Sequence, residues 1–334
     1  MHIGSLFCID LSSSFKRGTV NTMNQYKPEG ALLYTSKNYE YTSSIEGLER
    51  AMSRGLILEG CAVLCDHSFN LHVDLGAKIH ALIPKDEVQW CEGGEPVKDI
   101  AILTRVGKPV CFKVMGFERM ASGDSAVILS RRAAQLECKN NYISNLIPGD
   151  IIPTKITHLE SFGAFVDIGC GITSLLSIDS ISVSRIAHPS ARLREGDMIH
   201  TVIKHIDERG RIYVSERELL GSWEENASLF SEGQTVKGII RSVESYGVFV
   251  ELRPNLAGLA EYREDARPGQ AAAVFIKSII PEKMKIKLII IDSHDAPDSP
   301  EPLEYFIDTQ SVTHIDSWQY SPKSCKRVIE SVFC

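Results

Sequence analysis

Residues 160–168 read ESFGAFVDI and residues 244–252 read ESYGVFVEL. The two stretches keep one order: an aromatic residue, a glycine, a second aromatic residue and then alternating strand residues. Two copies of one pattern at a fixed spacing, here 84 residues, predict a repeated structural module. Aromatic side chains beside a glycine on an open strand are suited to stacking against flat ligands, above all nucleic-acid bases.

The repeat extends on both sides of these stretches. Gly149 matches Gly233 at the same spacing, and further along the chain Lys204 matches Lys277 at a spacing of 73 residues. The difference of 11 residues falls in the polar segment 179–192 of the earlier copy. Because loops tolerate insertions and deletions better than strands do, each copy is predicted to consist of strands joined by loops, with one long loop in the earlier copy.

A third and weaker copy lies upstream. Residues 73–76 read VDLG and align with VDIG at residues 166–169, which sets Phe69 against Phe162. The glycine between the two ring positions is absent, because Asn70 takes its place. We interpret this segment as a real but degenerate copy.

The fold class that these observations predict is all-β, with three tandem five-stranded OB-fold barrels joined by short helices. Strands are indicated by alternation, as in KMKIKLIII at residues 283–291. The predicted divisions are a disordered lead-in (1–22), with translation beginning at Met23, an N-terminal segment with a short helix (23–54), a degenerate barrel (55–130), a linker helix (131–147), a second barrel (148–218), a linker helix (219–232), a third barrel (233–292), and an acidic Pro-rich linker with a C-terminal helix (293–334).

The composition is that of an ordinary globular protein, with 43% hydrophobic and 24% charged residues. The formal net charge of −7 argues against a general polyanion-binding protein and predicts modest affinity for RNA. The sequence has no apolar run of membrane-spanning length and no convincing secretory signal. Its nine cysteines show no metal-ligand spacing. We therefore expect a cytoplasmic, monomeric protein with reduced thiols.

The repeated aromatic residues are the first candidates for a binding site. In an extended strand, residues three apart point to opposite faces, so Phe162 and Phe165 share a face only if a bulge at Gly163 re-aims one of them. The alternative places one ring in the barrel core and leaves the other as an incidental surface residue. Because Tyr246 and Phe249 repeat the spacing, we predict that all four rings bind RNA.

Basic residues on or beside the neighbouring predicted strands are candidates for phosphate contacts, which position RNA without reading its sequence. Each of them taken alone is equally consistent with an ordinary solvated charge, and the repeat-matched lysines are the best supported. The candidates are Lys155, Lys204, Arg217, Arg241 and Lys277.

Signatures of enzymes are missing from the sequence. It contains no phosphate-binding loop, no paired-histidine metal motif and no nucleophile elbow. The three modules also account for most of the chain. We therefore predict a protein that is not an enzyme, with no catalytic residues, no metal site and no cofactor.

The stretches GDIIPTKITHLESFGAFVDIG (149–169) and EGQTVKGIIRSVESYGVFVEL (232–252) resemble the opening strands of the S-one domain, the OB-fold RNA-binding module named for the largest protein of the bacterial small ribosomal subunit. The resemblance covers roughly residues 55–292, and the whole arrangement resembles the short S-one homologues of clostridial bacteria. It implies that the two rings of each pair and Arg217 line an RNA surface. The histidine of that family is replaced by Ser177 and Glu261, and the acidic residue weakens the expected RNA affinity of the third barrel.

The function that this resemblance implies is binding of single-stranded RNA, including messenger RNA, with low sequence specificity. Its expected place is beside the small ribosomal subunit, in support of translation. One alternative is an RNA-binding regulator that works off the ribosome, in transcription antitermination, RNA decay or stress. Another is a set of barrels that bind proteins, since OB surfaces serve many purposes, and the degenerate first barrel suits such docking.

Overall fold

The computed structural model describes residues 25–119, 125–295 and 303–333. Strands β1 to β15 form three closed barrels of five strands each. In every barrel the strands follow the order 1-2-3-5-4, with strands three and five parallel and strand four closing against strand one. The prediction of three tandem OB-type barrels is confirmed.

The first barrel consists of β1 (Leu58–Cys65), β2 (Leu71–Asp74), β3 (His80–Ile83), β4 (Pro109–Arg119) and β5 (Ser125–Ser130). The second consists of β6 (Ile151–Glu160), β7 (Gly163–Asp167), β8 (Thr173–Ser177), β9 (Met198–Ile206) and β10 (Ile212–Ser215). The third consists of β11 (Thr235–Glu244), β12 (Gly247–Arg253), β13 (Leu256–Ala260), β14 (Gln270–Ile280) and β15 (Lys285–Asp295).

The α-helices are α1 (Ser36–Thr42), α2 (Ile45–Arg54), α3 (Asp99–Leu103), α4 (Arg131–Asn141), α5 (Ile178–Ile181) and α6 (Trp223–Ala227). None of the helices that the structure describes is long and apolar enough to cross a membrane. Between the second and third barrels, the sequence predicted one helix over 219–232. The structure instead has a 3-10 turn at Arg217–Leu220, which Gly221 (φ 79°) separates from α6.

The glycine of the repeated pattern is required by close packing. A Cβ atom on Gly163 would lie 2.4 Å from the carbonyl oxygen of Leu176 on β8, and one on Gly247 would lie 2.5 Å from that of Ala260 on β13. No side chain fits at such distances, so glycine is what lets the second strand of each barrel approach the third. This contact explains why the pattern keeps a glycine between its rings.

The N-terminal segment fills the junction between the first two barrels. Glu29 is buried there and pairs with Arg131 at the start of α4, with Nε–Oε1 and Nη2–Oε2 distances of 2.6 and 3.0 Å. Its backbone N–H donates to Asp167 Oδ2 of β7 at 2.7 Å. Tyr26 and Cys138 belong to the same hydrophobic core as the second barrel. The junction is therefore a packed interface and not an open linker.

The predicted C-terminal helix is wrong. The segment from Ser321 forms turns and then β17 (Glu330–Val332), which pairs with the preceding strand β16 (Ser317–Gln319) in a two-stranded sheet. Alternation explains the strand, because Trp318 and Tyr320 are buried in the core of the third barrel while Gln319 between them is exposed. The aromatic residues of this tail thus pack within the molecule.

Two other predicted segments lie wholly or mostly outside the described residues. The lead-in at 1–22 lies outside the described residues. So does most of the acidic linker, since residues 296–302 are not described. The linker begins later than predicted, because β15 continues to Asp295 as the partner of β14.

The C-terminal segment is attached to the second barrel through a buried carboxyl group. Tyr305 Oη donates to Glu216 Oε1 at 2.9 Å, and burial raises the pKa of Glu216 to about 8. A carboxyl whose pKa is higher in the folded than in the unfolded state stabilises the fold less as pH rises from its unfolded pKa to its folded pKa. This group therefore lowers the free energy of unfolding between about pH 4.5 and pH 8.

Glu216→Gln removes this titration while keeping the shape of the side chain. We expect the variant to gain stability over the wild type as pH rises from 5 to 8. Urea denaturation at several pH values measures the difference, and subtracting the two curves cancels the other titrating groups. Parallel curves for the two proteins would contradict the assignment.

Candidate nucleic-acid interface

Two ring pairs stand on the surfaces of the second and third barrels with the same geometry. The Phe162 and Phe165 rings meet edge to face, with centroids 6.0 Å apart and planes at 88°. The Tyr246 and Phe249 rings do the same at 6.1 Å and 88°. Phe162 and Tyr246 are 52% and 68% exposed, and the second ring of each pair is half-buried. Four predicted residues are thus brought together as two pairs.

The rings share a face for a reason other than the one expected. No bulge is needed at Gly163, because Phe162 lies in the turn before β7, outside the alternation of the strand. The bulge lies in the neighbouring strand β6, between Ile156 and His158, and places His158 directly opposite Phe165. The first strands of the other two barrels are irregular at the equivalent point.

Strand pairing extends the second ring of the pair into a row that crosses all five strands of the second barrel. We call the residues so aligned the ring row of a barrel. Tyr213 and His205 of this row stack with centroids 4.4 Å apart and planes at 9°. The row has one outward side chain from each strand, in the order β6, β7, β8, β10 and β9. These side chains are His158, Phe165, Leu175, Tyr213 and His205.

The ring row of the third barrel has one ring and one cation. Lys287 of β15 is exposed and pairs across the strands with Leu259. It stands where the second barrel has a tyrosine. The row consists of Ser242, Phe249, Leu259, Lys287 and Ser278.

The equivalent row of the first barrel is largely apolar, and Leu64 in it is 55% exposed. It consists of Leu64, His72, Leu82, Ile128 and Gly116. Phe69, the counterpart of Phe162, lies under the ammonium group of Lys85 at 4.6 Å from the ring centroid. Among the described residues of the first barrel, there is therefore no exposed ring pair at this position.

Two of the predicted basic residues converge on helix α5, which follows the ring strands of the second barrel. The first residue of α5 donates its backbone N–H to the carbonyl of Phe162 at 2.9 Å. Lys204 Nζ donates to Ser180 Oγ at 2.9 Å. Arg217 Nη1 lies 3.5 Å from the carbonyl oxygen of Asp179. Both cations thus contact the helix whose first residue is hydrogen-bonded to the backbone of Phe162.

Arg217 is also held by other parts of the protein. Its Nε donates to Glu218 Oε1 at 3.1 Å and its Nη2 to Ser331 Oγ at 3.2 Å. The guanidinium carbon lies 5.9 Å from the ring centroid of Trp318. The guanidinium of Arg217, which the family resemblance assigns to RNA binding, is therefore already bound by the C-terminal segment.

The other three basic residues separate into two kinds. Lys155 Nζ donates to the carbonyl oxygen of Glu29 at 2.8 Å, in the junction with the N-terminal segment. Arg241 forms a bidentate pair with Glu251, with both N–O distances 2.9 Å. Lys155 is thus held in a contact between modules, whereas Arg241 is held in an ion pair within the third barrel. Lys277 is exposed on β14, next to the ring row of the third barrel.

Sequence reasoning missed several members of the ring rows. The alternation in KMKIKLIII was the available signal for Lys287, because it puts every second residue of β15 on the outer face. Nothing in the sequence marked Tyr213, His205 or His158, since their alignment with Phe165 depends on bulges in β6 and between β9 and β10.

His158, in the ring row of the second barrel, lies between two carboxylates. Its Nδ1 lies 2.7 Å from Glu195 Oε1 and its Nε2 lies 3.1 Å from Glu160 Oε1. These hydrogen bonds raise the pKa of the imidazole above its ordinary value, with Glu195 as the largest cause. The imidazolium therefore persists to higher pH than that of a free histidine and offsets two carboxylates beside the rings.

The fold and this surface define a class: proteins of tandem OB barrels that present exposed aromatic rings. Residues 146–217, which include the second barrel, match the S1 RNA binding domain, the S-one domain of the resemblance above. That resemblance is confirmed, and the chain is related to the bS1 proteins.

The curated relatives include the small ribosomal subunit protein bS1 of Staphylococcus saprophyticus, which is 30% identical over 190 residues, or 52% of this chain and 48% of that protein. The bS1 protein of Rhizobium meliloti is 26% identical over 234 residues, or 65% of this chain and 39% of that protein. The bS1 protein of Staphylococcus aureus strain COL is 27% identical over 278 residues, or 78% and 68%. The chain thus spans about half the length, or less, of the first two relatives.

Proposed function

We propose that this protein binds single-stranded RNA, with little sequence preference, through the ring pairs of its second and third barrels. The observation that carries the proposal is the exposure of two ring pairs with the same edge-to-face geometry on two barrels of the same topology. Stacking on aromatic rings tolerates any base, because every base has a π-face. The protein is not an enzyme on this proposal, and it acts in the cytoplasm.

The rings and the cations make different contacts with the RNA. Stacking on the four rings supplies base contacts, and Tyr213 and His205 extend the platform of the second barrel. The phosphate contacts come from the cations next to the rows. Those cations are Lys204, Lys277 and Lys287. Because the net charge is −7, we expect stacking to supply a larger share of the affinity than it does in a basic protein.

The relatives supply the proposed setting. Since the relatives are small ribosomal subunit proteins, we propose that the protein holds messenger RNA beside the small ribosomal subunit and assists translation. Sedimentation of native lysate through a sucrose gradient tests this proposal. We expect the protein to migrate with small subunits and polysomes and to be released by raised salt. Recovery only at the top of the gradient in low salt would favour an off-ribosome regulator.

A direct binding measurement tests the activity itself. Fluorescence polarisation with labelled oligouridylate, oligoadenylate and an RNA duplex should show similar affinity for the two single strands and much weaker binding of the duplex. Equal affinity for duplex and single strands would contradict stacking, because paired bases cannot open onto the rings.

The first barrel has a different role on this proposal. Its ring row is largely apolar, and the ammonium group of Lys85 lies over the ring of Phe69. Exposed Leu64 and Met115 lie on the first and fourth strands of that barrel. These features favour docking of another protein over RNA binding by this module.

His158 predicts a pH dependence of RNA binding. Its charge is present below its raised pKa and is lost as pH rises through that value. We therefore expect RNA affinity to fall as pH rises through the raised pKa of His158, and we expect His158→Gln to reduce this fall. Binding titrations of both proteins at constant ionic strength measure it. Identical pH profiles would show that the imidazolium does not act on the bound RNA.

A further inference from the structure

The loop that distinguishes the second barrel from the third is hydrogen-bonded to both of them. This loop covers residues 178–192 and includes the segment 179–192, to which the sequence comparison assigned the 11-residue difference. At its start, the first residue of α5 bonds to the carbonyl of Phe162, and the carbonyl of Ser180 accepts the backbone N–H of Glu216 at 2.8 Å. The loop is thus fixed to the second barrel beside its exposed ring.

The same loop is fixed to the third barrel by backbone contacts. The backbone N–H of Val183 donates to Asn255 Oδ1 at 2.9 Å, and that of Ser184 donates to the carbonyl of Pro254 at 3.1 Å. Asn255 is fully buried and its Nδ2 also bonds to the carbonyl of Arg217 at 2.8 Å. The middle of the loop therefore joins the turn between β12 and β13 to the end of the second barrel.

The end of the loop reaches the ring strand of the third barrel. Arg192 forms a bidentate pair with Glu251, with Nη1–Oε1 and Nη2–Oε2 distances of 2.8 and 2.5 Å, and its Nε donates to Ser182 Oγ at 2.9 Å. Val248 and Val250 of β12 point into the core. Glu251 therefore lies on the outer face with Phe249, two residues along the same strand.

This pair is buried and charge-assisted. Both side chains are at most 5% exposed. Burial by itself would raise the pKa of Glu251, but the guanidinium groups of Arg192 and Arg241 hold it below its ordinary value. A bidentate pair that is shielded from water fixes the orientation of its partners as well as their distance. The loop therefore connects the two ring pairs through a rigid path.

We propose that the loop 178–192, held by the Arg192–Glu251 pair, positions the ring pairs of the second and third barrels as one RNA-binding surface, so that a single strand runs from Phe162 to Tyr246. This inference rests on the proposed function. The exposed side chain of Arg185 lies in the middle of the loop and binds a phosphate of the strand between the two barrels.

Fixed spacing has a measurable consequence. When two sites are held in a geometry that one strand can span, the second contact is intramolecular, and the affinity can exceed that of either site by about 10²–10⁴-fold. Loosening the spacing lowers this gain and leaves each site intact. The affinity for an RNA that covers one barrel therefore measures the individual binding site. The affinity for an RNA that covers both barrels also measures the gain from their fixed spacing.

The test compares oligouridylates of about 6 and about 20 nucleotides, lengths chosen from the footprint of a single OB fold. In the wild type we expect the longer RNA to bind at least about tenfold more tightly than the shorter. Arg192→Ala should lower the affinity for the longer RNA several-fold and leave the shorter within about twofold. Arg241 remains to pair Glu251 in this variant, which limits the loss of stability. Arg209→Ala, at the exposed β9–β10 turn, makes the same change in net charge and should alter neither.

Arg185→Ala tests the proposed course of the RNA between the two barrels and leaves the buried Arg192–Glu251 pair unchanged. We expect it to weaken binding of the longer RNA alone and to lower the salt dependence of that binding by about 0.7. A wild type that binds both RNAs equally would overturn the coupling while leaving the proposed function standing. So would an unchanged ratio of affinities in both variants. A wild type that binds neither RNA would overturn the proposed function together with this inference.

Discussion

Replacing both Phe162 and Tyr246 with alanine is expected to weaken binding of a single-stranded RNA that contacts both rings by about 30-fold or more. Stacking contributes roughly 1–3 kcal/mol per base, and a loss of about 1.4 kcal/mol corresponds to a tenfold change in affinity. Each single variant should account for about fivefold or more of this change. Fluorescence polarisation with labelled oligouridylate measures all three variants.

The matched control is Tyr34→Ala. Tyr34 is 93% exposed but lies in the N-terminal segment, outside the ring rows. Its loss should leave RNA affinity unchanged. Because Phe162 and Tyr246 are also exposed, the double variant should unfold at the same urea concentration as the wild type. Unchanged RNA affinity in a folded double variant would show that the two rings do not belong to the binding site.

Arg131→Ala is expected to lower the free energy of unfolding by about 3–5 kcal/mol, because it removes the bidentate partner of a buried carboxylate and leaves only the longer contact with Arg105, at 3.6 Å. Arg131 is fully enclosed and bonds to both oxygens of Glu29. Its charge also acts on Asp167, whose pKa is raised to about 7 by burial and by the neighbouring Glu29. Urea denaturation followed by circular dichroism measures the loss.

The neighbouring residue provides the control for this prediction. Arg132 is half exposed and pairs with Glu87 on the surface, with an N–O distance of 3.1 Å. Exposed ion pairs contribute at most about 1 kcal/mol, so Arg132→Ala should change stability by less than that. Similar effects of the two substitutions would show that the Glu29 pair does not hold the junction together.

The two adjacent substitutions also show how far sequence reasoning reaches. The sequence places Arg131 and Arg132 together at the start of a predicted linker helix and gives no sign that they differ. Their environments differ because the N-terminal segment, more than 100 residues earlier in the chain, folds back over one of them. A contact between segments so distant in sequence leaves no local pattern.

The repeated acidic residue gives a similar case. Asp167 and Glu251 occupy the same position in ESFGAFVDI and ESYGVFVEL. The structure shows that each is buried against the module before it: Asp167 against the N-terminal segment and Glu251 against the loop that ends at Arg192. The repetition was visible in the sequence, but the partners belong to unrelated stretches of chain and appear only in the folded protein.

The sequence by itself determined the fold and the ring pairs of this protein. Alternating strands and a glycine that admits a neighbouring strand are local requirements, so their repetition predicts three barrels and marks Phe162 and Tyr246. The tertiary structure decided which other side chains join those rings. Bulges align His158 and Tyr213 with Phe165, and a contact with the distant Glu29 holds Lys155 in the junction between modules. These outcomes depend on strand register and on contacts between distant segments, which residue spacing along the chain does not encode.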